Sequence, residues 1–377
     1  MSIVTIAPSH AKTQAPPKQL VSRDCGPDGC EIDWLASPRH EADLDIANFT
    51  TFAMEQGWGD GLPLVPPTET RVRTMLSLNN RYPDEVIALL PPMRAECTVE
   101  KIVINAVMAG APPEALPLLI AAVEGVAEPD FELYGMNATT ASVAPAIFVN
   151  GPIRNRLGIP YKHGCFGGAA GVAPAIGRAL RLIMRNVAGQ VVGVTSQSTF
   201  GSPARVTGLV VGEWEERSPW APLAERRGVK GDAVTTFGGM GTMNILDTTS
   251  QKPAEFLEMI GKSAAYAGTN GFSPAVPFCE VFVAINPICA EIIGREMPNM
   301  EDVQEVLWKN ASLPADWLEH LHRGQLEDQG RIRADGRIYL TPEPKDVVVM
   351  VCGGTGGLHA AIVHSFGTSI TQTVAIR

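Results

Sequence analysis

The chain has 377 residues, of which 45% are hydrophobic and 19% charged, and its forty acidic and thirty basic residues leave a formal charge of −10. This composition can bury a large core and excludes wholesale disorder. No basic block matches a nucleic-acid or anionic-lipid surface, and the longest apolar run, residues 115–123, is far shorter than the roughly 20 residues that cross a bilayer. We therefore expect a small-molecule substrate, with no nucleic-acid or membrane partner.

The cysteine content indicates the compartment. Seven cysteines scattered over this length are an odd number and do not form the framework of a disulfide-stabilised secreted domain. The first residues also lack the continuous apolar stretch of a signal peptide. We therefore expect a cytoplasmic protein, and we leave a homo-oligomer open.

Three parts of the chain differ in composition. Residues 1–40 are polar and rich in proline, which predicts a flexible arm, and they contain one cysteine pair. Residues 41–190 predict a helix-rich α/β part, and residues 191–377 an α/β part with glycine-rich loops. In the middle part, capping residues and apolar periodicity predict helices at 45–56, from Thr68, from Thr98 and at 174–187, with a buried strand at 146–149.

The C-terminal part carries the strand pattern. Short β-prone runs at 190–194, 206–211 and 233–237 predict sheet, and a helix is expected at 253–266. Two apolar runs, 280–286 and 346–352, each predict a buried strand that turns into a helix, at 288–293 and 358–363. Such units favour parallel pairing. The predicted fold class is α/β: a mixed sheet with C-terminal strand-turn-helix units and a helical N-terminal part.

Cys352 ends the second of these strands, and Gly353, Gly354 and Thr355 follow it. Ligands of open α/β sheets collect beyond the carboxyl ends of the strands, where a helix N-terminus stabilises a thiolate. We therefore predict that Cys352 is catalytic, that its pKa lies below the usual value of about 8.5, and that the three residues after it contact substrate. The alternative is a small buried cysteine that completes a strand.

The loop at residues 162–168 places an imidazole, His163, two positions from a thiol, Cys165. If this loop packs over the same strand ends, His163 can act as a base or stabilise a thiolate, and the neighbouring glycines can donate backbone hydrogen bonds. Both residues are therefore catalytic candidates. The alternative is an ordinary glycine-rich loop.

Cys25 and Cys30 are separated by four residues, two of them glycine and one proline, so their sulfurs can meet. This spacing suits a redox dithiol, a nucleophile with its resolving partner, or half of a metal site. A zinc site would need more ligands, and His40 is the nearest histidine. The alternative is a pair without chemistry in a mobile arm.

Five further residues are candidates for binding a polar substrate: Trp58, Asp60, Arg178, Glu213 and Glu216. The first two lie between glycines, and the two glutamates belong to an acidic turn that can divide acid and base roles. Arg178 begins an arginine stripe that could bind a carboxylate, although a solvated helix face explains the stripe better. We predict that the loops at 57–63, 163–168, 213–216 and 353–357 line one concave surface.

Several stretches of the chain together resemble a known family. They are residues 57–68, 98–110, 176–182 and 218–223 and the tail from Val347. From about residue 50 onwards the sequence is similar to an uncharacterised bacterial family associated with the UGSC (seleno)proteins. The resemblance implies no particular reaction, but an association with selenocysteine favours thiol or redox chemistry. The loop of Cys25 and Cys30 lies outside it.

These observations predict a small-molecule enzyme that uses cysteine thiolates, as a lyase, a hydrolase or a thiol-transfer enzyme on a small polar substrate. One alternative is a metal-dependent hydrolase or lyase in which Cys25, Cys30 and His40 hold a divalent ion such as zinc. The other is a non-catalytic ligand-binding or partner subunit that uses the same cleft.

Overall fold

A computed structural model describes residues 2–4 and 35–377 of the chain. Its strands are β1 (Ser2–Val4), β2 (Arg39–Glu41), β3 (Val86–Leu90), β4 (Ala95–Thr98), β5 (Ala144–Asn150), β6 (Leu209–Gly212), β7 (Ala233–Leu246), β8 (Val281–Ile285), β9 (Ser312–Pro314), β10 (Arg337–Tyr339), β11 (Val347–Val351), β12 (His359–Ser365) and β13 (Gln372–Ala375). Its helices are α1 (Ile46–Glu55), α2 (Glu69–Leu76), α3 (Val99–Ala109), α4 (Leu116–Ala127), α5 (Leu133–Ala138), α6 (Ile153–Leu157), α7 (Ala173–Asn186), α8 (Ala204–Thr207), α9 (Leu223–Arg226), α10 (Pro253–Ala264), α11 (Pro287–Glu296), α12 (Met300–Asn310) and α13 (His320–Asp328).

The helix boundaries follow local capping chemistry. Thr68 accepts a hydrogen bond from the Arg71 amide at the start of α2, and Thr98 accepts one from the Lys101 amide at the start of α3. Helix α3 ends at Gly110, which has φ 76° and so adopts the left-handed conformation that glycine tolerates. The helices predicted from Thr68 and Thr98 and at 174–187 are therefore present with nearly the predicted ends.

One seven-stranded mixed sheet organises the fold, which confirms the predicted α/β class. The strand order is β11-β8-β12-β7-β5-β6, and β13 pairs with the first residues of β7. Strand β5 comes from the predicted middle part of the chain and the remaining six from the C-terminal part, so both parts build the same sheet. The predicted parallel pairing of the two C-terminal strands is confirmed by β8 and β11.

The six strands on this path form two halves with the same topology. In one half β5 pairs in parallel with β6 and antiparallel with β7. In the other half β8 pairs in parallel with β11 and antiparallel with β12. The halves join where β7 and β12 pair antiparallel at the centre of the sheet. The chain therefore repeats one strand-crossover-strand-strand unit.

The sheet curls into a half-barrel. Phe148 of β5 stacks on Phe282 of β8 with ring centroids 4.0 Å apart, although two strands lie between them and a flat sheet would separate them by about 14 Å. The edge strands also approach each other, because the Trp214 amide just after β6 donates to the Val351 carbonyl at the end of β11, at 2.7 Å. The curvature brings the carboxyl ends of β6 and β11 together.

Alternation along the strands divides the core into an inner and an outer face. Residues such as Ile147 and Val149 pack outward against α3, α4 and α7, and residues such as Val283 and Val349 pack outward against α10, α11 and α12. The inner, concave face holds a smaller cluster that contains Phe148, Phe237 and Phe282. Helices thus cover the outer face of both halves, and the concave face is where a ligand has room.

Three sequence expectations were wrong. Residues 358–363 form most of strand β12 instead of a helix, because their backbone groups pair with β7 on one side and β8 on the other. Residues 190–194 form turns with one isolated bridge instead of a strand. Residues 2–4, expected in a flexible arm, pair with 39–41 as β1 and bury Ile3 and Val4 completely.

None of the helices in the described part of the chain is long and apolar enough to cross a membrane.

Candidate functional site

Two loops meet where the edges of the curled sheet approach. The first leaves α6 and runs through residues 158–172, and the second joins β11 to β12. They are connected by the backbone, because the Gly353 amide donates to the Tyr161 carbonyl at 2.9 Å. The first loop is also tied to β6, whose Gly212 amide donates to the Pro160 carbonyl at 2.9 Å. Each half of the sheet therefore contributes one loop to this junction.

A cysteine from each loop reaches the junction. Cys352 directly follows β11 and is fixed by its amide, which donates to the Ile285 carbonyl at 3.1 Å. Cys165 lies in a turn closed by its amide and the Lys162 carbonyl, at 3.2 Å. Both are free thiols, both are buried in the inner cluster, and both line the same pocket. The structure thus brings together two cysteines that the sequence proposed separately.

The two thiols differ in acidity. The Cys352 thiol donates to the Cys165 sulfur and lowers the pKa of Cys165; burial opposes this, and the backbone amides of Cys165, Gly353 and Phe166 support it. The same hydrogen bond raises the pKa of Cys352 well above its usual value, and burial and the charges of Cys165 and Glu213 add to the rise. Cys165 is therefore the more acidic of the two thiols.

The expectation of a lowered pKa at Cys352 was wrong. It assumed a helix N-terminus after β11, but the chain continues through a glycine-rich loop into β12 and offers no helix dipole there. The remaining described cysteines give a reference for ordinary buried thiols. Burial raises the pKa of Cys97 to about 12 and that of Cys279 to about 11, and it also raises that of Cys289. Of the five described cysteines, only Cys165 has a lowered pKa.

His163 lies beside the two thiols at the rim of the same pocket. Its Nε2 accepts a hydrogen bond from the Thr355 amide at 3.4 Å, which links the two loops again. The imidazole ring packs closely on Gly354. A Cβ atom built on Gly354 would lie only 2.4 Å from His163 Cδ2. Gly354 is therefore required for this position of the imidazole, because any larger residue would displace the ring.

The pocket in front of the thiols has a volume of about 420 Å³. His163, Cys165, Cys352, Gly353 and Gly354 all line it, so five of the predicted site residues share one cavity. Its other wall is formed by the central strands β7 and β12 and the end of β8, which contribute residues that were not predicted as site residues: Met243, Asn244, Ala284, Asn286, His359 and Ala361. Phe166 was also missed, although it lies inside a predicted loop.

Glu213 directly follows β6, in the position that corresponds to Cys352 after β11. Unlike Cys352, it does not line the pocket. Its Oε2 accepts hydrogen bonds from the Asn150 side chain at 2.6 Å and from the Leu223 amide at 2.7 Å. Complete burial raises the pKa of Glu213, against the opposing charge of Arg226 and these hydrogen bonds. Glu216 pairs instead with Arg154, which lowers the pKa of Glu216. The acidic turn therefore braces the sheet edge and offers no carboxylate pair to the pocket.

Trp58, Asp60 and Arg178 lie elsewhere, among the helices on the outer face of the sheet. Arg178 of α7 donates to both carboxylate oxygens of Asp60, each at 2.7 Å, and both side chains are largely buried. Burial would raise the pKa of Asp60, but Arg178 and the Leu62 amide more than offset this and lower it. Trp58 is buried against Phe52. These three residues fix a loop to α7, so the expectation of one surface lined by all four loops was wrong.

The proposed metal site cannot be assembled from the described part of the chain. His40 packs its ring against Trp58 at 5.5 Å, and Cys25 and Cys30 lie outside the described residues. Among the residues that the structure describes, no group of three His, Cys, Asp or Glu side chains could hold an ion. The chemistry of Cys25 and Cys30 stays a prediction.

No protein-family model and no curated protein matches the chain.

Proposed function

We propose that this chain is a small-molecule enzyme that works through the thiolate of Cys165. The observation that carries the proposal is that Cys165 and Cys352, on two loops joined by the Gly353–Tyr161 hydrogen bond, line one cavity of about 420 Å³. A thiolate is the reactive form of cysteine, and here it faces open space with a hydrogen-bond donor fixed beside it. The resemblance to the UGSC-associated family also favours thiol chemistry.

The other groups of the pocket supply what a nucleophilic cysteine needs. Cys352 and nearby backbone amides hold negative charge on Cys165 before attack. His163 lies at the rim with its ring between solvent and Gly354, where it can transfer a proton to or from a leaving group. The side chains of Ala284 and Ala361 make part of the wall apolar, so bound substrate displaces water around the sulfur.

We also propose that the enzyme works in the cytoplasm. The five described cysteines are free thiols, and a catalytic thiolate with an unoxidised neighbour suits a reducing compartment. The expected absence of membrane and nucleic-acid partners remains part of this proposal.

Alkylation of individual cysteines tests the proposal directly. The full-length protein is treated with iodoacetamide at pH 7, and each cysteine peptide is quantified over time by mass spectrometry. We expect Cys165 to react at least about tenfold faster than Cys352, because a lower pKa gives a larger thiolate fraction at this pH. Cys97 and Cys279 serve as internal references for buried thiols. Labelling of Cys165 no faster than Cys352 would remove the basis of the proposal.

A further inference from the structure

The two pocket thiols are placed for more than mutual hydrogen bonding. Each is held by its own backbone hydrogen bond, to Lys162 and Ile285, and the amide after Cys352 is bonded to the Tyr161 carbonyl. The two loops are therefore fixed to each other beside the two cysteines, which line the same pocket. A disulfide between two cysteines requires this kind of close approach of side chains on fixed backbones.

We propose that Cys165 and Cys352 form a dithiol–disulfide couple that reduces a low-molecular-weight disulfide bound in this pocket, with Cys165 as the attacking thiol and Cys352 as the resolving thiol. This inference rests on the proposed function, because it takes the Cys165 thiolate as the nucleophile. It adds the substrate class and a covalent role for Cys352.

The reaction proceeds in two exchanges that balance in atoms and electrons. The Cys165 thiolate attacks one sulfur of the bound disulfide, a new sulfur–sulfur bond forms, and the other half of the substrate departs as a thiolate. The Cys352 thiol gives its proton to that departing thiolate. Cys352 then attacks Cys165 and expels the second half of the substrate as a thiolate. The substrate gains two electrons, and the protein loses two in the Cys165–Cys352 disulfide.

The first exchange activates the second. While Cys165 is a thiolate, its hydrogen bond and its negative charge are two of the causes that keep the proton on Cys352. When Cys165 becomes half of a mixed disulfide, its sulfur is neutral and both causes disappear. Burial and the charge of Glu213 remain, so the pKa of Cys352 falls without returning fully to its usual value. The resolving thiol is therefore released only after substrate has been bound covalently.

The pocket suits an organic disulfide better than a peroxide. A volume of about 420 Å³ is far larger than a peroxide group needs, and the two cysteines and the aliphatic side chains of Ala284 and Ala361 line it. Polar groups lie further out at the rim, where Asn244 Nδ2 and His359 Nδ1 are 3.3 Å apart. A disulfide with an apolar centre and polar ends matches this distribution.

The test uses full-length protein with Cys25→Ser and Cys30→Ser, so that this second pair cannot form a disulfide of its own. Reduced protein is mixed with hydroxyethyl disulfide, released thiol is counted, and peptides are mapped without reduction. We expect two equivalents of released thiol per chain and a Cys165–Cys352 disulfide. With Cys352→Ser in addition, we expect one equivalent and a stable mixed disulfide on Cys165. With Cys165→Ser instead, we expect the reaction to slow by at least about 100-fold.

The outcomes separate this inference from the proposed function. Rapid alkylation of Cys165 by iodoacetamide, together with a mixed disulfide that persists despite Cys352, would overturn the inference and leave the proposed function intact. Slow alkylation of Cys165 in both the parent and the Cys352→Ser protein would overturn both. If hydrogen peroxide at equal concentration forms the Cys165–Cys352 disulfide faster than hydroxyethyl disulfide does, the substrate class is wrong.

Discussion

The two halves of the sheet share a topology but differ at corresponding positions. Strand β6 is followed by Glu213, whose carboxylate is held by Asn150 and the Leu223 amide, whereas β11 is followed by Cys352, whose thiol faces a pocket. Each half also has an asparagine at the end of its first strand. Asn150 binds the acidic turn, and Asn286 caps α11 and donates to the His359 carbonyl.

This difference shows how the site arises. The first half uses its strand end to brace the sheet edge and supplies Cys165 from the crossover loop between β5 and β6. The second half supplies Cys352 from the strand end itself. Neither half contains the complete thiol pair, so the site exists only because the curled sheet brings its two edges together.

The largest expected effect comes from removing the thiol of the first half. In the Cys25→Ser/Cys30→Ser background, Cys165→Ser removes the attacking thiol and should slow the reaction with hydroxyethyl disulfide by at least about 100-fold. The measurement is thiol release followed by a chromogenic reagent. Cys97→Ala, a buried cysteine in the other core cluster, is the control and should retain the parent rate. A variant without Cys165 that reacts normally would contradict the assignment.

A second variant tests whether the outer helices of the first half are structural. Arg178→Met removes one partner of a buried ion pair and should lower the free energy of unfolding by about 3–5 kcal/mol, measured by urea denaturation. The rate of Cys165 alkylation under native conditions should not change. Arg185→Met on the same helix, where the side chain bonds only the Gly57 carbonyl among the described residues, should cost much less. A changed rate of Cys165 alkylation in a folded Arg178→Met protein would show that Arg178 contributes to the site.

Two substitutions of Cys352 sharpen the division of roles between the thiols. Cys352→Ala removes the donor to Cys165 and should move the midpoint of the alkylation profile of Cys165 upward. Cys352→Ser keeps an O–H donor at the same place and should shift it less. The profile is measured with iodoacetamide between pH 5 and pH 10, a range chosen to span the ordinary pKa of cysteine of about 8.5. Equal midpoints for all three proteins would show that Cys352 does not stabilise the thiolate.

A matched pair of glycine substitutions tests whether the His163 imidazole takes part in the reaction. Gly354→Ala places a methyl group against His163 and should push the ring out of the pocket, slowing disulfide exchange by about tenfold if His163 transfers protons. Gly356→Ala is the control, because its Cβ would meet nothing within 4 Å. Both proteins should have similar thermal stability, since His163 is exposed and packs no part of the core. Equal rates for the two variants would remove His163 from the chemistry.

The smallest expected effect concerns the buried carboxyl of the first half. The pKa of Glu213 is raised above its usual value of 4.5, so folding favours the protonated form and stability falls as the pH rises above that value. Glu213→Gln removes this penalty and keeps an oxygen that can accept both hydrogen bonds. The melting temperature of the variant relative to the parent should therefore be higher at pH 8 than at pH 5, by about 1–2 °C. A difference that does not depend on pH would indicate that Glu213 titrates normally.

Part of the fold could be predicted because its causes are local. Thr68 and Thr98 cap helices through hydrogen bonds to amides three residues away, and the apolar runs at 281–285 and 347–351 form strands in any sheet that buries them. The same reasoning failed for 358–363, where alanine and apolar spacing favour a helix. There the free backbone edges of β7 and β8 decided the conformation.

The candidate site was also predictable only in part. His163, Cys165 and Cys352 were recognisable as reactive residue types in glycine-rich loops, and the sequence indicated that their loops should meet. It could not indicate which thiol is the more acidic, because that depends on which sulfur donates to the other across the junction. Nor could the sequence show that Arg178 forms an ion pair with Asp60, a residue from a distant loop.

By itself the sequence determined the α/β class, the capped helices, the buried strands and a short set of candidate thiols, because these depend on composition and on neighbours within a few residues. The tertiary structure decided the curvature of the sheet, the pairing of Cys165 with Cys352 and the placement of Trp58, Asp60 and Arg178 outside the pocket. Those features depend on contacts between residues far apart in the chain, and acidity in particular is set by burial and by whichever donors and charges the fold brings near.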